Sequence, residues 1–184
     1  MHLVLTSSSA SHALASLEDQ QTFPRITTTI FMEDQKSPTH RHMIFVDTDA
    51  FVALAREGDS NHARAVGLLR ELSKHPVAFC TSNYVFTESV TVISQRVSHQ
   101  AALAYIKEIK APQSLFTMFW VAEPIEAAAV QLFAEQTSKN VSLVDCTNMA
   151  FLWNEQIEYI FSFDGVYTKN GCRTVEALLQ EDLE

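Results

Sequence analysis

The stretch MIFVDTDAF, residues Met43–Phe51, decides the fold of this chain. Its first part, Met43–Val46, is a short, continuous apolar run, which is typical of a strand buried on both faces of a parallel sheet. Asp47 follows that run directly. A carboxylate at the end of a buried strand is unfavourable unless it is paired or binds a metal ion. The same stretch therefore predicts both a core strand and a functional residue.

Downstream of this stretch, short apolar segments alternate with segments of helical spacing. Strand and helix alternate four times, which predicts an α/β/α sandwich, a central parallel sheet with helices on both faces. The predicted strands are Met43–Val46, Val77–Cys80, Leu115–Val121 and Tyr159–Phe163. The predicted helices are Asn61–Ser73, one capped within Thr81–Asn83 and ending near Val97, His99–Ile109, one from Pro124 to about Ser138, and one capped by Ser142 and ending near Glu155.

Residues 1–42 differ from the rest of the chain. They are rich in Ser, Thr, His and Gln and show no sustained helical or strand period. We expect them to form a poorly ordered extension, and residues 43–184 to form a single domain. Two alternatives stay open: translation that starts near Met43, and a real tail with a helix around Ser11–Gln20.

Composition limits the classes of function. The chain has 184 residues, an ordinary globular composition and a formal net charge of −9. A sequence-independent nucleic-acid binder usually carries a basic face, so this charge counts against such a binder. An acidic pocket that holds divalent cations, or a small basic partner, would supply the missing positive charge.

Cysteine use and hydropathy indicate the compartment. The three cysteines form no CxxC pair, so neither a disulfide framework nor a structural zinc site is expected. No apolar run approaches the about 20 residues that span a bilayer. We expect a cytoplasmic protein that has reduced thiols and no membrane association.

Four carboxylates are predicted to converge at one edge of the sheet. In open parallel sheets, sites form beyond the carboxyl ends of the strands. Asp47 and Asp164 directly follow predicted strands, Asp145 lies in the first turn of the Ser142-capped helix, and Glu88 lies about two turns into the helix after the second strand. Converging carboxylates repel each other. Mg²⁺ or Mn²⁺ would compensate and could activate a water molecule for phosphodiester cleavage.

Each of these acids also has a structural alternative. Ser142 and Asp145 fit a helix capping box, and Asp164 with Gly165 fits a turn. Two further acids, Asp49 and Asp59, are expected to face solvent or to cap helices. A structural role is hardest to assign to Asp47, because an acid directly after a buried strand gains nothing there unless it is paired or binds a metal.

The order of these blocks resembles the PIN-domain ribonucleases, and most closely the VapC-type toxins of toxin–antitoxin pairs. The likeness covers about residues 43–179. It is carried by the blocks FVDTDAFVAL, NHARA, TSNYVFTESVTV, SLVDCTNMAF and IFSFDGVYTKNG.

The resemblance implies a central parallel sheet and Mg²⁺- or Mn²⁺-dependent endoribonuclease activity. It also implies a small antitoxin partner, commonly a homodimer, and an RNA target that can be tRNA, rRNA or mRNA. Position by position, it gives catalytic and metal-binding roles to Asp47, Glu88, Asp145 and Asp164, and supporting roles to Thr48, Asn83 and Thr147.

Two departures and two alternatives accompany this resemblance. The 42-residue extension is unusual for the family and could cover the site, or it could reflect a wrongly assigned translation start. Asp49 stands where the family commonly has Ser or Ala, and an extra carboxylate there could bind a second metal or hinder RNA. A PIN-like domain can also be a non-catalytic scaffold. Finally, DTDAF resembles the DxDx(T/V) loop of haloacid-dehalogenase-type phosphatases, although Phe51 departs from that motif and Asp164 is followed by Gly.

Overall fold

The structure is a computed structural model that describes residues 42–181. The expectations for the N-terminal extension lie outside these residues, except at His42, which begins the first strand. Within residues 42–181, no helix is both long enough and apolar enough to cross a membrane.

A parallel sheet forms the centre of the described chain. Its five strands lie in the order β3-β2-β1-β4-β5, and every neighbouring pair is parallel. The predicted sandwich is therefore confirmed, although the short fifth strand was not predicted. The strands are β1 (His42–Val46), β2 (Val77–Ser82), β3 (Phe116–Phe119), β4 (Tyr159–Phe161) and β5 (Arg173–Thr174).

Helices cover both faces of this sheet. One layer contains α1 to α4 with α8 packed on α2, and the other contains α5, α6 and α7. The helices are α1 (Thr48–Ala55), α2 (His62–Leu72), α3 (Asn83–Arg96), α4 (His99–Lys110), α5 (Glu123–Glu135), α6 (Leu143–Asn154), α7 (Gly165–Lys169) and α8 (Val175–Glu181).

Helix α1 is the main element that sequence reasoning missed. All five residues from Ala50 to Leu54 are buried, so this helix has no polar face and shows no helical period. Its apolar side chains instead join the core, where Phe51 packs edge-on against Tyr105 and Phe116. Burying a side chain of this size contributes roughly 1.5–3 kcal/mol.

Serine caps fix the starts of two helices near the predicted site. The Ser82 hydroxyl accepts a hydrogen bond from the Val85 N–H and begins α3. At the start of α6, the Ser142 hydroxyl accepts from the Asp145 N–H, and the Asp145 carboxylate accepts from the Ser142 N–H. The predicted capping box is therefore present.

The strand order reverses direction between β1 and β4. The chain moves from β1 through β2 to β3 on one side, and then returns to place β4 and β5 on the other side. Such a switch point opens a crevice at the carboxyl ends of the two central strands. Asp47 follows β1 and Asp164 follows β4 nearby, so the predicted acids meet this crevice.

Candidate active site

Asp47 is the most enclosed carboxylate in the crevice, with 5% of its surface exposed. Its Oδ1 accepts a hydrogen bond from Asn148 Nδ2 at 3.0 Å. Its Oδ2 accepts from Tyr167 Oη at 2.9 Å and from Ser162 Oγ at 3.2 Å. Burial raises the pKa of Asp47 well above its usual range, and the neighbouring Asp49 charge raises it further. Three donors thus hold a carboxylate that its surroundings make costly to ionise.

Tyr167 links two of the predicted acids. Its hydroxyl lies 2.9 Å from Asp47 Oδ2 and 3.3 Å from Asp145 Oδ1, and it accepts a hydrogen bond from Asn148 Nδ2 at 3.0 Å. Burial and the charges of both acids raise the pKa of Tyr167 well above its usual range, so the phenol keeps its single proton. The shorter distance directs that proton to Asp47, and the hydroxyl then sits between the two carboxylates.

Asp145 serves two structural roles at once. Its Oδ2 closes the capping box of α6, whereas its Oδ1 faces the Tyr167 hydroxyl. The capping interpretation is therefore confirmed for this residue, and its catalytic role stays a prediction. The box fixes the direction of the side chain, because one oxygen is tied to the backbone while the other points into the crevice.

Glu88 meets Thr48 across the crevice. Thr48 Oγ1 donates a hydrogen bond to Glu88 Oε2 at 2.6 Å, and this contact joins the start of α1 to the second turn of α3. Thr48 is the residue directly after Asp47, so Glu88 is held beside the end of β1. This contact brings a residue predicted to support the site together with one predicted to act in it.

Asp164 lies at the rim of the crevice and is exposed. Its Oδ1 accepts from the Val166 N–H at 2.9 Å and caps α7. The turn alternative is thus correct for one of its oxygens. Its charge still reaches the site, because it contributes to the raised pKa of Asp49.

Asn83 and Thr147 have partners other than the acids. Asn83 Oδ1 accepts a hydrogen bond from the Val121 N–H at 2.8 Å, so this side chain anchors the segment after β3. Thr147 Oγ1 donates to the Leu143 carbonyl one turn earlier in α6. Both residues were expected to support the carboxylates, but their hydrogen bonds among the described residues go to backbone groups.

The expectation that Asp49 faces solvent or caps a helix was wrong. Its Oδ2 accepts a hydrogen bond from the Phe163 N–H at 2.7 Å, across the switch point. Its Oδ1 is buried without a hydrogen-bond partner among the described groups. Burial raises the pKa of Asp49 to about 6. The reason is helix α1, which turns Asp49 back toward the end of β4. Asp59, by contrast, accepts from the Asn61 N–H in the turn before α2, whereas the N-cap position of that helix belongs to Asn61.

Sequence reasoning also missed Tyr167, Asn148 and Ser162. Asn148 offered a signal, because it stands three residues after Asp145, on the same face of α6, within a run of buried residues. Tyr167 offered a weaker signal as the residue three positions after Asp164. Ser162 offered none, because a serine at a strand end is ordinary.

The donor chemistry of the crevice fits a hard cation. Among residues 42–181, no group of three or more His, Cys, Asp or Glu side chains is already arranged to hold a metal ion. Asp47 and Asp145 nevertheless converge on one hydroxyl. Two buried oxygens beside them, Asp49 Oδ1 and Asn148 Oδ1, lack hydrogen-bond donors among the described residues. Oxygen ligands of this kind suit Mg²⁺, Mn²⁺ or ordered water.

The fold and the position of these acids define a class of protein. A parallel sheet with carboxylates at its switch point agrees with the match of the PIN domain family to residues 44–170. The chain belongs to the PIN domain family.

Comparison with individual proteins narrows the class. The chain is 33% identical over 129 residues to a protein of Mycobacterium tuberculosis named 23S rRNA-specific endonuclease VapC20, which occurs in two strains. The aligned part covers 70% of this chain and 95% of that relative.

Two solved structures share this fold. The crystal structure of VapC20, described as a sarcin-ricin loop cleaving toxin, superposes with a TM-score of 0.64 at 28% identity, covering 70% of this chain and 95% of that one. FitAcB from Neisseria gonorrhoeae shares the fold, with a TM-score of 0.53 at 17% identity. That superposition covers 72% of this chain and 96% of the FitAcB chain.

Replacing Tyr167 with Phe should destabilise the metal-free protein by about 1–3 kcal/mol, because the buried Asp47 carboxyl loses a hydrogen-bond donor and Asn148 loses an acceptor. Urea unfolding in EDTA at neutral pH measures this change. Tyr105→Phe is the matched control, because Tyr105 is equally buried and its hydroxyl pairs with the neutral Ser89. An equal or larger loss in the control would contradict the bridging role.

Replacing Asp49 with Asn should change the pH dependence of stability. The folded-state pKa of about 6 lies above the unfolded value near 3.8, so the folded chain binds this proton more tightly. The wild type therefore loses stability as the pH rises from about 4 to about 6, by at most about 3 kcal/mol. Asn keeps an acceptor for the Phe163 N–H and cannot ionise.

The variant should match the wild type near pH 4 and be the more stable protein above pH 6. Urea unfolding in EDTA across this range gives the difference, with the exposed Glu135→Gln as the charge-matched control. A difference between Asp49→Asn and wild type that does not vary with pH would show that Asp49 titrates normally.

Proposed function

We propose that this chain is a metal-dependent endoribonuclease and the toxin of a toxin–antitoxin pair. The observation that carries the proposal is the convergence of Asp47 and Asp145 on the Tyr167 hydroxyl at the switch point. The chain is also 33% identical to a named rRNA endonuclease, and the alignment covers 95% of that relative. The identity supports the reaction, and the convergence supports the position of its centre.

Mg²⁺ or Mn²⁺ is the cofactor, and Asp47 and Asp145 are the residues that hold it. Protein sites for Mg²⁺ commonly use one or two carboxylates and keep several waters. Two converging acids are therefore a sufficient share from the protein. When bound, the cation lowers the pKa of a coordinated water and stabilises charge on the phosphate.

The chain's own groups then have distinct tasks. Asn148, Ser162 and Tyr167 fix the orientation of the Asp47 carboxylate, and the capping box fixes that of Asp145. Positioning of this kind reduces the reorganisation that the reaction needs.

Glu88 is held by Thr48 at the border of the site. It orients the attacking water and accepts its proton as the water oxygen bonds to phosphorus. The leaving ribose oxygen separates from phosphorus and takes a proton from solvent. Asp164, exposed at the rim, completes the acidic shell.

We further propose that 23S rRNA is the first RNA to test as substrate. This choice rests on the name of the relative, whereas tRNA and mRNA remain targets to compare beside it. A small antitoxin, self-association into a homodimer and a cytoplasmic location complete the proposal. An antitoxin with a basic segment would also offset the net charge of −9.

The two alternatives have less support. The dehalogenase-type phosphatase requires Asp49 to act freely on substrate, whereas its Oδ2 is bound to the Phe163 backbone. A non-catalytic scaffold has no need to bring Asp47 and Asp145 together, because two facing acids cost stability. Both alternatives are distinguished by the experiment that follows.

Asp47→Asn should abolish cleavage of RNA, lowering the rate by at least about 100-fold, because the amide binds a divalent cation poorly. Ribosomes and total RNA are incubated with the wild type in Mg²⁺, Mn²⁺ or EDTA, and the cut ends are mapped. The wild type should cut with a divalent metal and not in EDTA, and Asp47→Asn should not cut in either. Glu135→Gln, which removes an exposed acid far from the crevice, should cut as the wild type does.

Cleavage that survives in Asp47→Asn, or in EDTA, would reject the proposed centre. No cleavage of any RNA by the folded wild type under any metal would reject the nuclease and favour the scaffold.

A further inference from the structure

Trp120 stands apart from the other large apolar side chains. With 73% of its surface exposed, it is the most exposed of them among the described residues. It directly follows β3, at the carboxyl edge of the sheet where the acids also lie. A single exposed apolar residue is ordinary, so a functional role for Trp120 has to be argued from its position, its neighbours and the anchoring of its backbone.

The sheet register places Trp120 close to the catalytic edge. Phe45 of β1 is level with Cys80 of β2, which is level with Thr117 of β3. Counting onward, Trp120 lies about one residue beyond the level of Asp47. The two residues are separated by two strand spacings, about 10 Å in all. This indole is therefore within reach of a polynucleotide bound at the acids.

A cation lies beside the indole. Lys110 Nζ is 4.8 Å from the centre of the Phe86 ring and 5.8 Å from the centre of the Trp120 ring. Among the described residues, Lys110 forms no ion pair with a carboxylate. Phe86 also belongs to α3, the helix that carries Glu88. A flat aromatic face flanked by an uncompensated positive charge suits a nucleobase joined to a phosphate.

A side-chain hydrogen bond from α3 anchors the segment that carries Trp120. Asn83 Oδ1 accepts a hydrogen bond from the backbone N–H of Val121, the next residue. This contact explains the polar side chain of Asn83, which does not reach the acids. A fixed backbone beside an exposed ring loses less conformational freedom when a ligand stacks on it.

We propose that Trp120, with Lys110 beside it, is a stacking platform for one unpaired nucleobase of the RNA substrate. The inference rests on the proposed function and adds the class of RNA, a strand whose bases are free to leave the helix. Stacking needs no long-range attraction, and therefore suits a chain with a net charge of −9. Proteins that read RNA commonly stack such bases on aromatic side chains.

The two tryptophans of the chain make the test direct. Trp153 is also exposed, at 51%, but it lies eight residues after Asp145 along α6, about 12 Å from the catalytic edge. A Trp153→Phe variant leaves Trp120 as the sole indole. When Trp153→Phe is combined with Asp47→Asn and the protein is kept in EDTA, the Trp120 fluorescence reports RNA binding without cleavage. The probes are poly(U), whose bases are unpaired, and the poly(A)·poly(U) duplex.

Poly(U) should quench the Trp120 fluorescence, and the duplex should quench it much less. Trp120→Ala should weaken binding of fluorescently labelled poly(U) by about 5- to 150-fold, the range for loss of one base–aromatic stack. Trp120→Phe should restore most of the affinity, and Trp153→Ala should bind as the parent does. Equal thermal unfolding of all variants verifies that the exposed substitutions leave the fold intact.

Three outcomes would overturn the platform: equal affinity of Trp120→Ala and Trp153→Ala, equal quenching by duplex and single strand, or a changed state of self-association in Trp120→Ala with unchanged RNA affinity. The last would assign the indole to a protein interface. Failure of the nuclease is a separate result, because Trp120-dependent binding of poly(U) without any cleavage by the wild type would retain the platform and reject the enzyme.

Discussion

The burial of the Asp47 carboxylate is the constraint on which the rest of the site depends. Ending a core strand with an acid costs free energy unless several groups compensate. The chain supplies three donors from two separate segments, namely Asn148 of α6, and Ser162 and Tyr167 after β4. Those donors require α6 and the β4–α7 turn to meet the end of β1, which the switch point of the sheet provides. A cation shared with Asp145 would supply the compensation that these neutral donors do not.

Much of this arrangement could be predicted from the sequence, and the remainder shows where local pattern is insufficient. Asp47 was predictable because it follows an apolar strand, and the Ser142–Asp145 box because capping depends on residues close in sequence. Helix α1 was missed because its five consecutive residues from Ala50 to Leu54 are all buried and show no helical period. Asp49 was misplaced for the same reason, since only a helix turns it toward the Phe163 backbone. Contacts between residues more than 100 positions apart, such as Asp47 with Tyr167, depend on the order of the strands, which periodicity does not encode.

In an acidic protein that acts on RNA, the groups that cleave the RNA and the groups that bind it have to be different. The carboxylates at the switch point repel phosphate unless cations compensate their charge, so the proposed centre would act on RNA only with metal bound. Contacts that hold RNA then have to come from short-range groups elsewhere along the same edge. The exposed indole beside Lys110 is a contact of that kind, and Asn83 connects it to the helix that also carries Glu88. On this proposal, the carboxyl edge of the sheet binds a metal, orients a water and stacks against a base with few basic residues.

The most direct test of the role of Asp47 is the location of a bound Mn²⁺ ion by anomalous X-ray scattering from crystals of the chain grown with that metal. We predict one peak at coordination distance from both Asp47 and Asp145, with the Tyr167 hydroxyl still bonded to Asp47. The peak should be absent in crystals of Asp47→Asn. A protein that cleaves RNA while its crevice shows no metal, or a peak that persists without the Asp47 carboxylate, would contradict a cation-compensated Asp47 as the centre of the site.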